Sequence, residues 1–290
     1  MKPAPFTYHA PRTLPDALQL LSTLDNARPL AGGQSLGPML NMRFVMPDHL
    51  VDLNRVPGLD RIEARGDTLE IGAMVRQRAL ERSDVVRRAC PVMIDALAHV
   101  GHFQTRNRGT LGGSLSHLDP AAELPGICAL YDATLTAGSR RGEREVPMAQ
   151  WGRGYMSPDL APDELLLQIR LPLWREPHGH AFVEFARRRG DFAIAGAGAL
   201  LALDANGRIA RAAIVLIGVA YAPLRLTAAE RALIGAAPDE DALGAAAAEA
   251  AGIEAIEDSY VSAGYRKRLA GVLAGRALDL AARRARQAGA

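Results

Sequence analysis

Apolar residues recur at helical spacing at Leu14, Ala17, Leu18 and Leu21, with Thr13 placed to cap them, which predicts a helix over 13–24. A short strand is predicted at 28–31, running straight into Gly32-Gly33-Gln34-Ser35. One helical turn at 39–42 and a strand over 47–53 follow. Residues 61–64 and 68–71 flank Arg65-Gly66-Asp67 as a β-hairpin. Helical periodicity returns over 83–98 and breaks near Cys90-Pro91, after which 101–119 reads as a glycine-rich loop. Asp119-Pro120 then predicts a helix to about Leu130, with Asp as cap and Pro at the first helical position. Proline, glycine and charge cluster over 172–179, which predicts a domain boundary at 173–178. Beyond it, 192–203 and 209–219 alternate around Asn206-Gly207, a hairpin signal. From Thr227 the chain is alanine-rich with helical spacing and ends in a long helix over 263–287. The first part mixes strands and helices; the second is a sheet followed by helices.

Composition narrows the function. The chain has 290 residues and a charge sum of 34 − 32 = +2, so nothing argues electrostatically for nucleic acid or a membrane surface. No apolar run reaches the roughly 20 residues of a membrane span, and the N-terminus lacks the apolar stretch of a signal peptide, so a cytoplasmic chain is expected. The two cysteines, Cys90 and Cys128, lie far apart in sequence. That excludes a disulfide framework and a self-contained iron–sulfur cluster of the four-thiolate kind. Lys2 and Lys267 are the only lysines, and no Gly-Lys-Ser/Thr step of a phosphate-binding NTPase loop exists.

Two segments carry chemistry: Pro29-Leu-Ala-Gly-Gly-Gln-Ser-Leu36 and Arg106-Asn-Arg-Gly-Thr-Leu-Gly-Gly-Ser-Leu115. Adjacent glycines let successive backbone N–H groups converge on an anion, and Gln34, Ser35, Thr110 and Ser114 add side-chain donors. Each segment alone also fits a tight turn between strands; together they suit a diphosphate gripped from two sides. Gly196-Ala-Gly198 lacks the third glycine of a dinucleotide fingerprint and runs into a strand, so it reads as small residues in a packed sheet. His99 and His102 have helical spacing without an acidic third ligand and fit a loop or capping role better than a metal pair. Arg187-Arg188-Arg189 fits a solvated edge or a phosphate or partner contact equally.

These residues also carry a resemblance. AGGQSLGPMLNMRFVMPDHLVDLNRVPGL, IGAMVRQ at 71–77, RNRGTLGGSLSHLDPAAELP at 106–125, FARRRGDFAIAGAGALL, IVLIGVAYAPLRLTAAE and AGYRKRLAGVLAGRAL together resemble the FAD-binding medium subunit of molybdenum hydroxylases, the carbon monoxide dehydrogenase and xanthine dehydrogenase flavoprotein family. The match covers nearly the whole chain. It implies an α+β fold: residues 1–173 as a two-lobed FAD-binding domain of the vanillyl-alcohol-oxidase/methylhydroxylase type, with lobes of about 1–54 and 55–173, and residues 178–288 as a small sheet covered by helices.

The resemblance further implies that Leu30, Ala31, Gly32, Gly33, Gln34, Ser35 and Leu36 wrap the FAD pyrophosphate, and that Thr110, Leu111, Gly112, Gly113 and Ser114 reach it from the other side. By the same likeness Glu123 reaches the cofactor near its sugar, with Asp119 beside it, and Leu166 lines the adenine or ribose region. Phe192, after Asp191, falls where relatives place an aromatic beside the flavin ring. Glu184 stands where the family often has a lysine near the flavin, and Ser114 where many relatives have asparagine. No residue of this chain is expected to perform acid–base chemistry on the organic substrate. The function implied is transfer of electrons from two [2Fe–2S] clusters on a small subunit, fed by a large molybdenum–pterin subunit, through FAD to an external acceptor, in a dimer of heterotrimers. The rival readings are a self-sufficient flavin oxidoreductase on the same fold and a non-catalytic nucleotide-binding scaffold.

Overall fold

The computed structural model describes residues 1–289. The chain opens with β1 (Thr7–His9), α1 (Leu14–Thr23), β2 (Ala27–Leu30), α2 (Leu36–Asn41) and β3 (His49–Asp52), whose strands form a parallel sheet in the order β1-β3-β2. Thr13 caps α1 by accepting the Asp16 N–H. The predicted stripe of Ala17, Leu18 and Leu21 buries with Val51 and Leu53. Helix α2 starts earlier than the turn predicted at 39–42. The Gly33 and Ser35 carbonyls accept the Gly37 and Met39 N–H groups, so the helix grows directly out of the glycine turn.

Next come β4 (Ile62–Arg65), β5 (Thr68–Gly72), α3 (Gln77–Arg82), α4 (Asp84–Ala89), α5 (Pro91–Leu97), α6 (Phe103–Arg108), α7 (Leu111–His117), α8 (Glu123–Leu130), β6 (Thr134–Ser139), β7 (Gly142–Pro147), α9 (Met148–Trp151), β8 (Gly152–Gly154), β9 (Ser157–Pro158) and β10 (Leu165–Pro172). An antiparallel sheet of order β4-β5-β10-β6-β7 packs beneath the helices, with Leu69, Ile71, Met93, Leu111, Leu115, Ile127 and Trp151 in the core.

Two expectations are corrected in this stretch. The glycine-rich segment 101–119 is not loop: it holds α6 and α7. Thr110 caps α7 by accepting the Gly113 N–H at 2.9 Å, and Leu111 and Leu115, one helical turn apart, are fully buried. A cap and a buried stripe outweigh the poor helix propensity of two glycines. Helix α8 begins at Glu123, not at Pro120, because the Asp119 carboxylate accepts the Ala121 N–H at 2.8 Å and holds a turn there.

The rest comprises β11 (His178–Phe185), β12 (Ala195–Leu203), β13 (Ile209–Ile217), β14 (Leu224–Arg225), α10 (Thr227–Leu233), α11 (Glu240–Ala251) and α12 (Ala263–Ala288), with an antiparallel sheet in chain order. The alternation predicted for the first hairpin strand is not a wet–dry alternation: Ala195 to Ala202 are all buried. One face of β12 packs on the core beneath α8 and the other on the core beneath α12, so the sheet is a middle layer. Its small residues make that possible. A Cβ at Gly179 would lie 1.8 Å from the Ala281 carbonyl oxygen of α12. The strand starts at Ala195 instead of 192 because 186–194 forms a loop, closed by the Ile194 N–H on the Phe185 carbonyl. Arg266 of α12 locks the far end of the sheet, donating to the Ile194 and Gly218 carbonyls and to Asp258.

Candidate cofactor site

The two glycine segments meet. A Cβ on Gly32 would stand 2.2 Å from the Arg108 carbonyl oxygen and 2.8 Å from the Gly109 Cα, and one on Gly113 would touch the Ala31 Cβ at 3.7 Å. The turn between β2 and α2 therefore lies against the α6–α7 junction, an approach that only glycine allows at position 32.

A polar network fixes this approach. Asp52, at the end of β3, accepts from the Asn54 N–H at 2.9 Å and from the Tyr8 hydroxyl. Asn54 in turn donates through Nδ2 to the Ala31 carbonyl at 2.9 Å. Arg76 donates to both Asn54 Oδ1 and the Arg108 carbonyl, so one guanidinium joins the two segments. Burial works to raise the Asp52 pKa, but the Tyr8 and Asn54 hydrogen bonds outweigh it and hold the carboxyl below its usual range. Burial and the neighbouring Arg108 charge lower the Arg76 pKa. Sequence reasoning missed Tyr8, Asp52, Asn54 and Arg76 as parts of the site; the signal was that Asp52 and Asn54 lie within 31–59, and Arg76 within IGAMVRQ, both stretches that carry the family resemblance.

The segments differ in what they offer. In the first, Gly33 takes φ +70° and the N–H groups of Gly32, Gly33, Gln34 and Ser35 donate to no protein acceptor, while Gln34 folds its Nε2 back onto the Gly32 carbonyl at 3.2 Å. This is a nest for an anion. In the second, the amides are engaged: Leu111 N–H bonds Val75 O, Gly112 N–H bonds Ala73 O, Gly113 N–H bonds Thr110 Oγ1, and Ser114 N–H bonds Thr110 O. The expectation of two equivalent nests is corrected accordingly. Gly112 serves close packing, since its Cβ would lie 2.6 Å from the Ala73 carbonyl oxygen. What remains available there is the Thr110 N–H, which has no acceptor, the half-buried Ser114 hydroxyl and the N-terminal end of α7. Leu30, Leu36 and Ala31 are half-buried around the first turn.

The remaining predicted residues are placed as follows. Asp119 and Glu123 follow α7 directly, and Glu123 is buried at the start of α8. Glu184 lies on β11, with Oε2 buried and unbonded. Phe192 is 73% exposed on the 186–194 loop beside exposed Asp191. That loop docks on the residue preceding α6: a Cβ at Gly190 would lie 2.6 Å from His102 Cε1. Leu166 of β10 packs in the main core. His99 stacks near Phe182 at 5.7 Å between ring centroids while His102 faces Gly190, so the two histidines do not converge. Cys90 and Cys128 are buried free thiols, both raised in pKa by burial, that of Cys90 to about 12.

Residues 4–174 match the family model described as FAD binding domain in molybdopterin dehydrogenase, and residues 180–281 the CO dehydrogenase flavoprotein C-terminal domain. This chain is a member of the FAD-binding medium-subunit family of molybdenum hydroxylases. The medium subunit is 39% identical over 288 residues to subunit alpha of the 6-hydroxypseudooxynicotine dehydrogenase complex of Paenarthrobacter nicotinovorans, covering 99% of this chain and 97% of that one. It is 36% identical to the carbon monoxide dehydrogenase medium chain of Afipia carboxidovorans, over 99% of this chain and 100% of the other. The solved carbon monoxide dehydrogenase of Hydrogenophaga pseudoflava superposes on it with a TM-score of 0.94 at 37% identity, over 98% of this chain and 99% of that one. The medium subunit is thus an oxidoreductase flavoprotein subunit with an α+β fold, and its cofactor is FAD. The chemistry of the site agrees: unengaged amides at Gly32–Ser35 fit a diphosphate, and the glycine cradle leaves no room for side chains where the two segments meet.

Proposed function

We propose that this medium subunit takes electrons from [2Fe–2S] clusters of a small partner subunit, themselves supplied by substrate oxidation on a large molybdenum–pterin subunit, and delivers them through FAD to an external acceptor. The observation that carries this reading is the row of free amides from Gly32 to Ser35, backed by the α6–α7 junction, on a chain whose two thiols are both buried. Bound FAD supplies a carrier that accepts electrons singly or in pairs.

The chain's own residues hold and position it. The amides of Gly32, Gly33, Gln34 and Ser35 would receive the diphosphate, and the Thr110 N–H and Ser114 hydroxyl would be available to it from the second segment. Asn54 and Arg76 keep the two segments in register. By the family resemblance Glu123 would reach the cofactor near its sugar with Asp119 beside it, Glu184 would lie near the flavin, and Phe192 on its exposed loop would govern access to the ring. Two cysteines cannot ligate a four-thiolate cluster, so the electrons reach the flavin from outside the chain. No helix among the described residues is long and apolar enough to cross a membrane, and the family resemblance supports a cytoplasmic dimer of heterotrimers.

The test is purification of the chain alone and with co-expressed partners. The lone chain carries flavin absorbance but neither iron nor molybdenum, and its flavin is reduced by organic substrate only when the partners are present. Substrate turnover by the lone chain, or iron–sulfur absorbance in it, overturns the proposal.

A further inference from the structure

Strand β1 forms one edge of the first sheet and pairs with β3 alone, Thr7 opposite His49 and His9 opposite Val51. Side chains two apart along a strand share a face, so His9 and His49 project from the same side of the sheet. Their rings meet there. His9 Nε2 lies 3.1 Å from His49 Nδ1, the ring planes tilted by 48°, and both residues are half-buried. In the ion-free chain one ring donates its N–H to the lone pair of the other.

The same spacing suits two ligands of one metal ion. Imidazole nitrogens bind Zn2+ at roughly 2.0–2.1 Å, so two on one ion stand about 2.9–3.4 Å apart for ligand angles between square and tetrahedral. A small rotation of the rings aims both lone pairs at a common point, and the strand ladder holds the two residues together beforehand. The carboxylates flanking His49 along the chain are engaged elsewhere: Asp48 accepts from Asn26 Nδ2 at 3.0 Å, and Asp52 from Tyr8 and Asn54. Among the described residues no cluster of three or more His, Cys, Asp or Glu side chains forms a metal site. The remaining positions on an ion here therefore fall to water, which makes the site open and exchangeable.

We propose that His9 and His49 form a two-imidazole site for a divalent transition ion of the Cu2+, Ni2+ or Zn2+ class, which clasps β1 to β3. Ions of this class favour neutral imidazole over the oxygen ligands of Mg2+ or Ca2+ sites. The clasp has a route to the amide nest. Tyr8, on the other face of β1, donates its hydroxyl to Asp52, and Asp52 holds Asn54, which donates to the Ala31 carbonyl. An ion that fixes β1 against β3 thus also holds Tyr8 on Asp52, and FAD binds more tightly. The site itself stands apart from the cofactor reading; its link to FAD affinity rests on it.

The tag-free full chain is stripped with EDTA and titrated with Cu2+ under electron paramagnetic resonance, and its melting temperature is measured with and without Zn2+. Wild type binds one equivalent of Cu2+ with coupling to two imidazole nitrogens, and Zn2+ raises its melting temperature. His9→Gln and His49→Gln each leave at most one coupled nitrogen and abolish the Zn2+ effect. Each weakens Cu2+ binding at least about tenfold, since losing a ligand costs no less than losing a residue behind one. No saturable Cu2+ binding to wild type, or a two-nitrogen spectrum that survives in both variants, overturns the site. FAD is then titrated into the stripped chain with and without Zn2+. The ion tightens FAD binding in wild type but not in His9→Gln, nor in Tyr8→Phe, which keeps both histidines. Zn2+ that leaves wild-type FAD affinity unchanged overturns the link to the nest. A chain with the two-nitrogen spectrum that binds no FAD overturns the cofactor reading and leaves the metal site standing.

Discussion

Gly32 rests against the Arg108 carbonyl at a distance no other residue permits: a Cβ there would stand 2.2 Å from the oxygen. Two segments separated by some 75 positions in sequence are pressed together at this point, and the free amides of the first are aimed by the second. Gly32→Ala therefore forces backbone apart, at a cost of about 3 kcal/mol, and the purified chain loses most of its flavin absorbance. Gly37→Ala, in α2 with open space at its Cβ, serves as the control and melts no lower than wild type.

Gly33 separates charge from strain. Its φ of +70° penalises any side chain, by roughly 1 kcal/mol for residues that tolerate the left-handed region. Gly33→Asn and Gly33→Asp should thus melt at similar temperatures. Only the Asp variant places a carboxylate beside the diphosphate, so its FAD affinity, measured by fluorescence titration, falls at least about tenfold below that of the Asn variant.

Arg76 bridges Asn54 and the Arg108 carbonyl with two different nitrogens. A lysine keeps the charge but not the fork. Arg76→Lys is expected to weaken FAD binding by about tenfold, the effect of losing a hydrogen bond worth roughly 1–1.5 kcal/mol. Equilibrium titration with FAD checks this, and circular dichroism confirms an unchanged fold.

Acid stability follows from Asp52. Although burial raises its pKa, hydrogen bonds from Tyr8 and Asn54 bring it below the ordinary 3.8. A carboxyl with a lowered folded pKa contributes stability that is present above 3.8 and lost as pH falls through the lower folded value. Tyr8→Phe removes one of the hydrogen bonds that lower it. The variant is less stable at neutral pH, and the difference from wild type narrows below about pH 3 in urea melts.

Phe192 is 73% exposed on a loop tethered at Gly190 against His102. Phe192→Ala should leave the melting temperature within about 1 °C, as expected for a surface substitution. The rate at which the reduced holo-chain is reoxidised by a soluble acceptor changes severalfold, read by stopped-flow absorbance. An unchanged rate removes Phe192 from the access path.

Periodicity alone placed α1, the hairpin of β4 and β5, the break between α4 and α5, and the long α12, because in each the local pattern and the tertiary packing agree. It failed over 101–119, where glycine content reads as loop. There the Thr110 cap and the buried pair Leu111 and Leu115 impose helices through contacts with residues 73–75, far away in sequence. It also misread β12, since a strand buried on both faces shows no polar alternation and its second cover, α12, lies some 70 residues on.

The sequence by itself determined the chemistry that this chain can hold: paired glycines for an anion, too few thiols for a cluster, and motifs that place it among flavin-binding medium subunits. Only the tertiary structure decided how those residues are used. It left the amides of Gly32–Ser35 free while engaging those of Leu111–Ser114, and bound both segments through Asn54 and Arg76. The physical reason is that a donor's availability and a carboxyl's charge depend on what packs against them, and those neighbours lie far away along the chain.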